Sequence, residues 1–283
     1  MPLRLAMNAL IRSLRAGRSR PAASVWGIGG PSRHNRVRPP GLAVVRTVYN
    51  KYAEWEGPMF PLRFEVAGEP VEVRVSTLLN AGYAGRGQDD VAAHVAELAE
   101  LGVPAPTRTP CLYPVAPYLA MQVDEVPVQH GRTSGEAEWA LVVAGPDERD
   151  VLLTVACDHT DRELEVHGVA WSKQAGPDVL GRRAWRLADV ADRVDELTLT
   201  AWAGGERIQR GTLGELLTPQ YWLGELRERG LLAEGTVLLS GTIPMDVGVD
   251  QFAGSWRVEL GDPATGDTLA CEYAVRRMPE PVA

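Results

Sequence analysis

Glu136 and Glu138 stand two residues apart in the run Ser134-Gly-Glu136-Ala-Glu138-Trp-Ala-Leu-Val-Val143, whose apolar stretch predicts a strand. Side chains alternate along a strand, so both carboxylates leave the same face. Neighbouring carboxylates repel one another unless a cation neutralises them. After the turn Gly145-Pro-Asp-Glu-Arg-Asp150 the chain returns as Val151-Leu-Leu-Thr-Val-Ala-Cys-Asp158. A hairpin centred near residues 147–148 pairs position 138 with position 157, give or take a residue, and brings Asp158 beside the glutamates. Three carboxylates at the mouth of an apolar hairpin suit a hard, oxygen-seeking ion such as Mg²⁺ or Mn²⁺. The plainer reading of the same residues is an exposed acidic strand edge.

Asp158 opens a second polar run, Asp158-His-Thr-Asp-Arg162-Glu-Leu-Glu165, and Ser172-Lys173 follows. Lys173 is one of only two lysines among 29 basic residues. A compact ammonium there could stabilise an enolate or a carboxylate, and the Arg162 guanidinium could fork onto a substrate carboxylate. Against this stands an ordinary surface lysine and an arginine paired with Asp161 or Glu165. Further back, His94 and Glu97 lie three apart on the helix expected over Val91 to Leu101, so they share a face. A carboxylate there can orient an imidazole and raise its basicity, enough to activate a water; solvent-facing His and Glu on a helix are equally ordinary.

The elements that must position these residues are mostly strands. Alternation predicts a hairpin from Leu62–Val66 and Val71–Val75 around Gly68-Glu69, a loop over Asn80–Gly87, and strands over 135–143, 150–158 and 164–172. Short helices are expected at 187–197, 213–217 and 221–230, and closing strands at 236–240, 255–260 and 268–275. Strands outnumber helices without alternating with them, which predicts an α+β, predominantly β fold with mixed or antiparallel sheets and a few short helices.

Taken in order, these pieces resemble the fumarylacetoacetate hydrolase superfamily over most of residues 62–280. The resemblance lies in His94-Val-Ala-Glu97 followed by Val103-Pro, the Glu136-Ala-Glu138 strand, Asp158 to Arg162, Ser172-Lys173, and Gly235-Thr-Val-Leu-Leu-Ser-Gly-Thr242. Gly-Tyr-Ala-Gly-Arg86, Thr-Ser-Gly-Glu136 and Asp-His-Thr-Asp-Arg162 are most similar to an uncharacterised branch. The resemblance implies a layered mixed-sheet fold with Glu136, Glu138 and Asp158 as ligands of Mg²⁺ or Mn²⁺. It implies His94 with Glu97 as a water-activating dyad, Lys173 as a catalytic cation, and Arg162, Thr242 and Arg86 around a small oxo-carboxylate substrate. The implied reaction is hydrolysis of a C–C bond in a dioxo acid through a metal-stabilised enolate. Decarboxylation or tautomerisation of an oxaloacetate-like acid, or binding without turnover, are the other roles such a fold serves. It also implies a homodimer. The chain departs from the superfamily pattern in a short hairpin before Asp158, Glu165 where Gln is common, Gly241-Thr-Ile-Pro244 for Gly-Thr-Pro, and Leu112-Tyr113-Pro114 where a strand lysine is usual.

Composition narrows the partners. Residues 1–53 hold ten of the 29 basic residues and none of the 37 acidic ones, leaving 19 basic against 37 acidic beyond them. The split predicts a basic extension over residues 1–53, read as disordered with an organellar targeting arm or a polyanion-binding arm as the alternatives, on an acidic body that repels nucleic acid, and the resemblance implies that residues 54–283 are the catalytic domain. Three cysteines without CxxC spacing suggest a reducing, cytoplasmic setting, and no apolar run reaches the roughly 20 residues of a membrane span.

Overall fold

The computed structural model describes residues 61–282, except 88, 90, 93, 94, 97–104, 247 and 281. The basic extension, His94 and Glu97 therefore lie outside the described residues; the helix expected around them is represented by residues 89, 91, 92, 95 and 96, which are helical.

The first elements are the hairpin β1 (Leu62–Val66) and β2 (Glu69–Val73), then β3 (Thr77–Gly82), β4 (Cys111–Val115), β5 (Ala120–Met121) and β6 (Glu125–Val128). The long pair β7 (Thr133–Val143) and β8 (Val151–Asp161) leads to two short helices, α1 (Arg162–Glu165) and α2 (Val169–Gln174). There follow β9 (Asp178–Leu180), β10 (Trp185–Arg186), α3 (Leu187–Val190), β11 (Thr198–Ala203) and β12 (Glu206–Thr212). The chain closes with α4 (Pro219–Glu228), β13 (Thr236–Leu239), β14 (Ser255–Gly261) and β15 (Thr268–Arg277).

These strands build a mixed sheet in the order β4-β3-β13-β7-β8-β9-β5, with β10 also on β8, and a second sheet in the order β12-β11-β14-β15-β6. The odd-numbered side chains of β7 and β8, Trp139, Leu141, Leu153 and Val155, enter one core with Leu199, Trp256, Val258 and Tyr273 of the second sheet. The even-numbered ones, Ala140, Val142, Leu152 and Ala156, pack under Leu62 and Phe64 of the β1–β2 hairpin. The main sheet is thus covered on both faces. This explains why β7 and β8 are buried along nearly their whole length rather than alternating with solvent. Burial of each large apolar side chain contributes about 1.5–3 kcal/mol. At Gly135 the layers approach so closely that a Cβ would lie 2.6 Å from the Trp256 ring and 2.5 Å from Cys157 Sγ, so a side chain there would separate the sheets.

Three expectations change. Residues 164–172, read as a strand, form α1 and α2: Asp161 caps the turn by accepting from the Glu163 and Leu164 amides, and Gly168, at φ 149°, opens the break before α2. Asn80, expected in a loop, is inside β3, which runs parallel to β13. The hairpin β11–β12, not anticipated, turns at Gly204-Gly205, both at positive φ as a tight hairpin turn demands.

Candidate metal centre

The β7–β8 register sets Glu136 opposite Asp158 and Glu138 opposite Ala156, one residue from the expected pairing. Ala140 and Val142 belong to the core on the same face, so each strand changes from apolar to acidic where the β1–β2 hairpin cover ends. Glu136, Glu138 and Asp158 each offer an oxygen within 4.8 Å of the other two, a cluster that could hold a metal ion.

Two residues absent from the sequence-based site complete its floor. Asp178 on β9 is opposite Asp158 and fully buried. The sheet curls so far that Asn80 on β3, three strands away from β8, donates from Nδ2 to Asp158 Oδ2 (3.1 Å) and Asp178 Oδ1 (3.0 Å). A lone Asp after Pro177, and an Asn inside what reads as a loop, gave little local signal.

The cations come from the two short helices. Lys173 on α2 donates to Asp158 and to Glu136 Oε2 (3.3 Å). Arg162 at the start of α1 donates to Glu136 Oε1 (2.8 Å), to Ser134 Oγ (2.7 Å) and to Glu165 Oε1 (3.2 Å). Helices at 162–165 and 169–174, where a strand over 164–172 was expected, are what turn both cations back over the sheet.

Four largely buried carboxylates now face two buried cations. Burial alone would raise the Glu136 carboxyl, but Lys173 and Arg162 outweigh it and bring it down to about 2. Burial pushes Glu138 well above the ordinary carboxylate range; Lys173 opposes this, and repulsion from Asp158, Glu136 and Asp178 adds to it. Asp178 is raised likewise, by burial and then by Asp158. Lys173 stays charged, because Asp158 and Glu136 overcome its desolvation.

Hydrogen bonding shows the same shortfall of positive charge. Glu138 Oε2 accepts from the Gly241 amide at 2.7 Å, a contact that Gly241 supports with φ 80°. Glu138 Oε1, Asp178 Oδ2 and Asn80 Oδ1 are buried without a partner among the described residues. A buried acceptor left without a donor costs about 1–3 kcal/mol, and three gathered round one cluster fit a site that takes a cation. The donors are all oxygen, as a hard divalent ion requires.

Of the other expected site residues, Thr242 donates to the Ala137 carbonyl and accepts from Gln209, both at 2.9 Å, next to the Gly241 amide on Glu138. Arg86 forms a two-pronged bridge to Asp195 (2.7 and 2.8 Å) and donates to the Leu216 carbonyl, on an exposed edge.

Layered mixed sheets, few short helices and a carboxylate cluster at a hairpin mouth define a fumarylacetoacetate-hydrolase-like fold. A Yersinia pestis CO92 protein assigned to the fumarylacetoacetate hydrolase family shares it at a TM-score of 0.54, with 19% identity over 76% of this chain and 100% of that one. Fumarylpyruvate hydrolase from Pseudomonas aeruginosa, solved with Mn²⁺ and pyruvate, gives 0.50 and 16% over 79% and 98%. Fumarylacetoacetate hydrolase from Exiguobacterium antarcticum gives 0.51 and 17% over 71% and 75%. Within this fold the chain belongs to the family of proteins of unknown function DUF2848, which it matches over residues 81–273. No curated protein matches it significantly. Among the described residues no helix is long and apolar enough to cross a membrane.

Proposed function

We propose that the chain is a divalent-metal-dependent enzyme that hydrolyses a C–C bond in a small dioxo carboxylic acid, with residues 54–283 as the catalytic unit and residues 1–53 as a basic extension outside it. The observation that carries this reading is the buried, cation-deficient cluster of Glu136, Glu138 and Asp158 with the unpartnered Glu138 Oε1. Mn²⁺ and pyruvate in the Pseudomonas aeruginosa fumarylpyruvate hydrolase structure support it by likeness of fold.

Glu136, Glu138 and Asp158 would hold the ion, with Asn80 and Asp178 bracing Asp158 from behind. When bound, Mg²⁺ or Mn²⁺ supplies the positive charge that favours an enolate of the dioxo group. Lys173 makes two contacts and so keeps one of its three N–H bonds for the developing oxyanion. Arg162, pinned by Glu136, Glu165 and Ser134, orients the acidic end of the substrate. His94 with Glu97 takes a proton from the attacking water. Hydroxide adds to the distal carbonyl, the C–C bond breaks with its electron pair passing to the enolate, and that carbon is then protonated, giving two carboxylic acids.

The test starts from metal-stripped full-length protein. Millimolar Mg²⁺ or Mn²⁺ should raise the melting temperature, and Glu138→Ala should lose most of that gain. Equal responses in both would overturn the metal assignment. Product analysis then separates reactions: hydrolysis yields two fragments without carbon dioxide, whereas release of carbon dioxide would replace it with decarboxylation.

A further inference from the structure

We propose that Tyr113, with Tyr83 beside it, forms the specificity-determining wall of this site and selects oxo acids with one carboxylate and a neutral aryl or alkyl far end over dicarboxylates. The proposal rests on the reading of the cluster as an oxo-acid site.

The wall is set by register. Tyr113 on β4 is opposite Asn80 on β3, and Cys111 is opposite Gly82, so Tyr113 and Cys111 project from the sheet face that carries Asn80 and the carboxylates. Gly82 makes room for the ring: a Cβ there would lie 2.5 Å from Tyr113 Cε2. The next residue, Tyr83, adopts φ 57°, a left-handed conformation that is strained for a non-glycine residue and that concentrates at functional sites. Helix α2 packs on β4 and is tied to its end by the Ala116 amide donating to Gln174 Oε1 at 3.0 Å, so Lys173 is on the helix held against this strand.

The chemistry of the wall is neutral. Burial raises Tyr83 to about 12 and Tyr113 further, and it raises the Cys111 thiol too; the charge of Lys173 reaches all three but does not reverse the rise. They therefore stay protonated, two half-buried phenols and a thiol. Lys173 is held by Asp158 and Glu136 and gives its remaining N–H to the oxyanion in the proposed reaction, and the negative charge of Glu165 is felt at Tyr83. A second carboxylate on the substrate would meet repulsion and find no unpaired cation here among the described residues, whereas an aryl or alkyl group would meet ring faces.

The experiment compares kcat/KM for 2,4-dioxo-4-phenylbutanoate and 2,4-dioxohexanedioate with full-length protein and Mn²⁺. The phenyl acid should be preferred by at least about tenfold, and Tyr113→Lys should reverse the ratio. Tyr113→Ala, which removes the ring, should raise KM for the phenyl acid severalfold with a smaller change in kcat, and it carries the test if the lysine variant does not fold. A wild-type preference for the dicarboxylate, or a ratio and KM indifferent to both substitutions, would overturn the wall while leaving the reaction intact. If neither acid is cleaved and neither adds to the Mn²⁺-induced thermal shift, the proposed function falls and the wall with it.

Discussion

The two faces of the β7–β8 pair carry different buried polar clusters. On the odd-numbered face His159 bonds Tyr273 through Nδ1 and Thr133 through Nε2, both at 2.9 Å, while Cys157 meets the same Tyr273 hydroxyl at 3.1 Å. Both His159 ring nitrogens and the Tyr273 hydroxyl are satisfied, and the network joins the two sheets. On the even-numbered face, one residue away along β8, Asp158 belongs to a cluster with unpartnered oxygens and raised carboxyls. Burial is equally deep on both faces, so depth does not distinguish a site from a structural network. The kind of group left unpartnered among the described residues does: the odd-numbered face leaves the indole donors Trp139 Nε1 and Trp256 Nε1, whereas the even-numbered face leaves acceptor oxygens with capacity for a cation.

That contrast can be broken first at the floor of the acidic cluster. Asp178→Asn removes a repelling carboxylate from the metal-free protein and a negative charge from behind Asp158. We expect Mn²⁺ affinity to fall by about 10–100-fold, while the metal-free melting temperature rises, measured by calorimetry and thermal unfolding. An affinity equal to wild type would remove Asp178 from the site.

Tyr273→Phe addresses the odd-numbered face. Loss of the hydroxyl leaves buried His159 and Cys157 short of a partner, at a cost of about 1–3 kcal/mol in stability, yet the rise in melting temperature with Mn²⁺ should persist. A variant that lost the metal response as well would show the faces to be one coupled unit.

The smallest effect is in acid. Burial, aided by Arg162, lowers His159 to about 4, so between the usual 6.5 and 4 the unfolded chain binds a proton that the folded one refuses. Stability should therefore decline as pH falls through that window, and His159→Gln should flatten the decline. Glu136, lowered to about 2, gives a separate loss as pH falls from about 4.5 toward 2, which the His159 variant should keep.

Much of the site was legible because strand geometry is short-ranged. The two-residue spacing of Glu136 and Glu138 forces them onto one face, and a six-residue turn brings back Asp158 with an error of one residue. The resemblance rested on the same motifs, and the shared fold agrees with it. Arg162 and Lys173 were expected to flank a strand over 164–172 and instead lie on two short helices, because the alternation in 164–172 masked the Asp161 cap and the Gly168 break. Asn80 and Asp178 were missed because their roles depend on strands 78 and 20 residues from Asp158.

By itself, then, the sequence determined the hairpin, its acidic mouth, the scarcity of lysine and the predominantly β class, since each follows from side-chain alternation, turn chemistry or composition over a few residues. Only the tertiary structure decided that Asn80 and Asp178 close the floor, that Arg162 and Lys173 turn inward from α1 and α2, and that Tyr113 shares the sheet face of Asn80. Those placements come from the curl of the sheet and the register of strands distant in sequence, where burial, and not local spacing, sets which charges must meet.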